Sequence, residues 1–214
     1  MKYFLVPLVI AASLLVRAQT LQPATGDIKG SVTDSNGNLV RGVTVYALPQ
    51  DPAFDSITPR SIVTDSRGEF DFHGGFHLGT YKLYSRKDAD AYPDRSDNFY
   101  ADPKLEPQKA DLSENHPVAT VTLSLGEKAA VFVGRVIDAA TGAILQAKLV
   151  FLDEDGNDHS VMTNGKFRTL LPAGKPVSFL VMVLSPGYGS QTPPGPLLLA
   201  PGQELQMDTP ISKQ

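Results

Sequence analysis

Metal-assisted hydrolysis needs two close ligands, a distant third and an open coordination position that activates water. In a zinc peptidase the close pair is His-x-x-Glu, and none of His73, His77, His116 or His159 has a glutamate three places on. His73 and His77 stand four apart, a spacing that converges on a metal only in a helix, which Gly74 and Gly75 between them cannot sustain. The expected place for both is a strand end and loop facing solvent. No serine has glycine two positions away on both sides, so a nucleophile elbow is absent, and zero cysteines remove thiol catalysis and thiolate metal sites together. Asp153, Asp155, Asn157 and Asp158 place oxygens as calcium loops do, yet Asn164 occupies the twelfth position where a bidentate glutamate belongs. A complete EF-hand is excluded, and residues 153–158 read either as a tight turn or as a weak calcium site. No catalytic set, metal centre or cofactor is expected.

One stretch does have the composition of a binding surface. Residues 92–100, Tyr-Pro-Asp-Arg-Ser-Asp-Asn-Phe-Tyr, interleave Tyr92, Phe99 and Tyr100 with Asp94, Arg95, Asp97 and Asn98. Exposed rings would stack on sugars or anchor a protein while Asp94, Arg95 and Asn98 bond to polar groups. The other reading folds the rings back over the edge of the domain, because aromatic surface is costly to leave in water. Tyr188, between Gly187 and Gly189, poses the same question near the other end of the chain.

The elements that would position these residues follow from the pattern of the whole chain. Residues 1–18 read as a secretory signal: Lys2, an apolar run over residues 4–16, then Val16-Arg17-Ala18 as the cleavage site. Removing Lys2 and Arg17 from the 19 basic residues leaves 17 against 23 acidic ones, a formal charge of −6. With no basic block longer than Arg86-Lys87, a nucleic-acid partner is not expected. No later run is long and apolar enough for a transmembrane anchor, and lipid attachment through a cysteine at the cleavage point is excluded. Residues 19–26 read as a flexible leader.

Beyond it, Ile28, Gly30 and Val32 alternate with Lys29, Ser31 and Thr33, the period of a half-buried strand. Asp34-Ser35-Asn36-Gly37 predicts a hairpin turn leading to a strand over residues 43–48. A second hairpin is expected over residues 61–72, a strand over 80–85, a long connection over 87–117 and a closing strand over 118–125. The pattern then returns: Gly30, Val32 and Asp34 match Gly134, Val136 and Asp138 at a constant offset of 104 residues, the length of a small domain. Strands are expected again over residues 148–152, 177–184 and 204–208. The chain therefore reads as all-β, with a first sandwich over residues 27–126 and a second, diverged one over residues 127–214.

Gly30-x-Val-x-Asp-x-x-Gly37, Gly42-Val-Thr-Val45, Thr64-Asp-x-x-Gly-x-Phe-x-Phe72 and Leu78-Gly-x-Tyr81 resemble the carboxypeptidase regulatory-like, or transthyretin-like, β-sandwich of exported bacterial proteins. Gly134-x-Val-x-Asp138, Gly165-x-Phe167 and Pro172-x-Gly174 look like a diverged copy, with Ala147 in the place of Gly42 and Thr169 in that of Phe72. The resemblance implies tandem Ig-like sandwiches of about seven strands serving as accessory modules, grouped by fold with carbohydrate-binding domains. The chain ends Pro210-Ile-Ser-Lys-Gln214, without the tyrosine-arginine-glycine-serine terminus of transthyretin-like hydrolases. The expected role is non-enzymatic: structure or recognition at the bacterial envelope, periplasmic or secreted, with an envelope protein or a polysaccharide as partner. The alternative is a carbohydrate-binding module using residues 92–100.

Overall fold

The computed structural model describes residues 25–51, 59–101 and 105–214. The expected signal segment and residues 19–24 of the expected leader lie outside these. Thr25 and Gly26 depart from the leader expectation, because they open the first strand, opposite His77 and Phe76.

The chain is all-β and builds two sandwiches. The first comprises β1 (Thr25–Thr33), β2 (Thr44–Pro49), β3 (Arg60–Val63), β4 (Glu69–His77), β5 (Gly79–Arg86), β6 (Gln108–Leu112) and β7 (Val118–Ser124). A three-stranded sheet, ordered β4-β1-β7, faces a four-stranded sheet, β3-β2-β5-β6. Apolar side chains at alternate positions meet between them: Ile28 and Val32 from β1, Val45 and Ala47 from β2, Phe70 and Phe72 from β4, Tyr81 and Leu83 from β5.

The second sandwich repeats the plan with β8 (Ala130–Asp138), β9 (Ala147–Asp153), β10 (Asp158–Thr163), β11 (Lys166–Leu171), β12 (Pro176–Val183), β13 (Ser190–Gln191), β14 (Leu197–Leu198) and β15 (Glu204–Ile211). Its sheets are β11-β8-β15 and β10-β9-β12-β13, with β14 also on β12. The short pieces β13 and β14 take the place of β6.

The repeat seen in the sequence is a repeat in space. Gly30 lies opposite Phe70 on one side and Val121 on the other; Gly134 lies opposite Phe167 and Met207. A Cβ at Gly30 would stand 1.8 Å from the Val121 carbonyl oxygen, and at Gly134 1.9 Å from that of Met207. Both glycines are there because a neighbouring backbone fills the space of a side chain.

Three expectations are corrected. The turns at residues 34–37 and 65–68 do not close hairpins between the strands that flank them. Asp34 N donates to Asn38 O and Asp65 N to Glu69 O, but β1 and β2 lie in opposite sheets, as do β3 and β4. The chain arches across the core because both flanking strands carry apolar faces that it must bury. The connection over residues 87–117 contains β6, whose Ala110 and Leu112 complete the first core. Ala147 corresponds to Val43 rather than Gly42: it lies opposite Thr163 as Val43 lies opposite Thr64, and both point into a core.

Candidate functional site: the joint between the sandwiches

The segment between β5 and β6 begins with Lys87 and carries two short 3-10 turns, Asp88–Asp90 and Asn98–Tyr100. Local hydrogen bonds shape it. The Asp94 carboxylate accepts from the Ser96 backbone and hydroxyl, and that of Asp97 accepts from Phe99 N, capping the second turn. Lys87 N donates to Tyr92 O, and Tyr92 N returns the bond to Lys87 O, which turns the Tyr92 ring back into the first core.

Seven residues later the same segment reaches the other sandwich. Phe99 is 2% exposed and packs within the second core, with Phe132, Phe151 and Phe179 among its members. Its ring stacks on His159 of β10, centroids 5.4 Å apart and 19° between planes, and meets Tyr100 edge-on at 5.1 Å. The Tyr100 hydroxyl donates to Leu170 O of β11 at 3.0 Å. Burial, and then the charge of Asp97, push the Tyr100 phenol well above its ordinary pKa. Asp97 also stands 3.8 Å from His159.

A small apolar cluster seals the contact: Ala91 from the segment, Ala129 and Val131 at the start of the second sandwich, and Leu170, with Tyr100 against them. The link between sandwiches, residues 125–129, is tied down as well. Arg95 donates to the carbonyls of Leu125 at 3.3 Å, Tyr100 at 3.4 Å and Glu127 at 2.7 Å. Ala129 N donates to Ala91 O at 2.8 Å, and Arg168 Nη1 to Asp88 O at 3.3 Å.

The six candidate binding residues therefore share a segment but not a surface. Tyr92 and Phe99 lie in two different cores, Tyr100 is half-buried between the sandwiches, and Asp94 and Arg95 are half-buried and engaged with local groups. Asn98 alone of the six is exposed. A stacking platform needs ring faces open to solvent, and those of Tyr92 and Phe99 are covered by protein. Beside them a cleft of about 420 Å³ remains, lined by Pro93, Arg95 and Tyr100 on one side and Lys128, Pro172 and Lys175 on the other. The receiving residues His159, Leu170 and Arg168 carry no signal in the sequence, because nothing in their own strands marks a face covered from outside.

The remaining candidates resolve locally. Asp153 is buried; Asp155 N and Asn157 N donate to its Oδ1 and Asn157 Nδ2 to its Oδ2, while Asp155 pairs with Lys175 at 3.1 Å. The carboxylate is committed to its own turn between β9 and β10. His73 is exposed near the Gly74-Gly75 bend of β4, 3.4 Å from Asp71. Tyr188 donates its hydroxyl to Asp138, and Lys213 lies over its ring. Among the described residues no group of three or more potential metal ligands comes together. No helix among them is long and apolar enough to cross a membrane.

Fold and joint together define a class: a tandem β-sandwich chain whose most elaborate polar and aromatic assembly holds one sandwich to the next. No family model matches the chain, and no curated protein matches it. Among solved structures it is similar to a shaft pilin, SpaA, of Lactobacillus rhamnosus GG, at 12% identity, covering 89% of this chain and 99% of that one with a TM-score of 0.37. It is similar to a streptococcal ancillary pilin at 16% identity, 88% and 62% coverage and a TM-score of 0.36. For the Bacillus anthracis TIE protein the figures are 15% identity, a TM-score of 0.35 and 88% coverage of this chain, which spans 34% of that protein's length. Likenesses this distant carry no argument about what the chain does.

Proposed function

We propose that this chain is a non-catalytic, exported protein with a structural or recognition role at the bacterial envelope, built of sandwiches over residues 27–126 and 127–214 that act as one rigid piece. The observation that carries the reading is the placement of Phe99: the richest candidate binding segment spends its aromatic surface on joining the sandwiches. The aspartates at the turns support it, since Asp34, Asp65, Asp138 and Asp153 each accept backbone hydrogen bonds within their own turns. Sequence features in common with carboxypeptidase regulatory-like domains, and the apolar segment over residues 4–16, support an accessory module and its export.

The test is to express the full chain in a bacterium, fractionate the cells and measure the mass of the product. A product beginning at Gln19, recovered with envelope proteins after cross-linking, is expected. An unprocessed product confined to the cytoplasm would overturn the proposal.

The inter-module cleft favours a second reading, a saccharide held against Tyr100 with Arg95, Lys128 and Lys175 at hand. Retention of the chain on a polysaccharide column, lost on Lys128→Ala with folding unchanged, would establish it; passage of both proteins without delay would remove it.

A further inference from the structure

In each sandwich the first and last strands are neighbours and run parallel. β1 pairs with β7 from Asp27↔Val118 to Thr33↔Ser124, and β8 with β15 from Val131↔Glu204 to Asp138↔Ile211. The chain thus enters each sandwich at one end of a parallel pair and leaves at the other, roughly 20 Å away at the usual rise of a strand. Tension between the chain ends pulls the two strands in opposite directions along their length. Bonds in a parallel ladder are evenly spaced, so such a load falls on the whole row at once instead of opening it bond by bond.

We propose that the protein is a tension-resisting connector, in which both sandwiches resist tension between the chain ends in shear. Close approach at the loaded pairs is built in twice, through Gly30 beside Val121 and Gly134 beside Met207. The link between the sandwiches is backed as well: Arg95 grips the Leu125 and Glu127 carbonyls and Ala129 bonds to Ala91, so tension passing from β7 to β8 is shared with the 87–101 segment. The inference takes its setting from the exported structural role proposed above, whereas its mechanics belong to the purified chain.

The absence of cysteine makes the test direct, because each engineered thiol is a unique handle. Full-length chain carrying Thr25→Cys with Gln214→Cys is stretched end to end in an optical trap. Thr25→Cys with Val118→Cys, and Lys128→Cys with Glu204→Cys, pull the same two strand pairs apart from one end. Thr33→Cys with Ser124→Cys serves at the opposite end of the first pair if a handle perturbs folding. End-to-end unfolding forces several-fold above the same-end forces, at one loading rate, are expected. Equal or lower end-to-end forces would overturn the proposal. Weak end-to-end resistance in a chain still recovered with the envelope would leave the structural role standing, and strong resistance in a chain that is never exported would do the reverse.

Discussion

Two buried side chains in the second sandwich have opposite energetic standing. Thr209 of β15 is 4% exposed, and its hydroxyl has no hydrogen-bond partner among the described residues. Burying an unpaired hydroxyl costs about 1–3 kcal/mol, so Thr209→Val, which keeps the shape, is expected to raise stability by about 1 kcal/mol in urea unfolding. No change or a loss would mean that water or a rotated hydroxyl satisfies the group. Asp138 is the converse case. The Tyr188 hydroxyl, then the Thr141 backbone and hydroxyl, hold its pKa down at about 2, against an ordinary value of 3.8. A depressed carboxylate contributes its full stabilisation above the unfolded pKa and loses it as pH falls toward the folded one. The thermal midpoint of the wild type should therefore exceed that of Tyr188→Phe above about pH 4, with the gap closing toward pH 2. A gap independent of pH would show that the phenol acts through packing alone.

Strand pairing explains what the sequence makes legible and what it hides. Residue period and turn chemistry located most strands, because alternation and Asx turns are local. Which sheet each strand joins is not local, so turns that look like hairpins became arches between sheets. β13 and β14, two residues each in a proline-rich stretch, lack any alternation. Phe99 was visible as an aromatic beside polar residues, but its destination depends on a core assembled from strands 30 or more residues further on. The matched positions also show compensation that a motif comparison reads as divergence. Ile28 lies opposite Phe72, and Phe132 opposite Thr169, so each copy sets one large ring against a smaller neighbour, from opposite strands. Gly30→Ala and Gly134→Ala should each cost about 3 kcal/mol in denaturant unfolding, since the new methyl meets a backbone oxygen and not a yielding side chain. A cost under about 0.5 kcal/mol at either site would mean that the parallel strand shifts freely, and would weaken the case for its bearing load.

For the whole molecule, the joint couples two cores that could otherwise melt separately. Calorimetry of the wild type should give one cooperative transition, whereas Phe99→Ala, at about 3–5 kcal/mol lost, should separate it into two. Two transitions in the wild type would show that the contacts do not couple folding. The joint also has a polarity. Its donor segment belongs to the first sandwich and its receiving face, His159, Leu170 and Arg168, to the second. Contacts of this head-to-tail kind join two different surfaces, one from each copy, rather than the same patch twice. In the second sandwich the corresponding stretch after β12 is turned inward, with Tyr188 on Asp138 and Gln214 N on Gly187 O. The two copies are therefore not interchangeable beads: the first reaches forward onto its neighbour, whereas the corresponding stretch of the second folds back on its own sandwich.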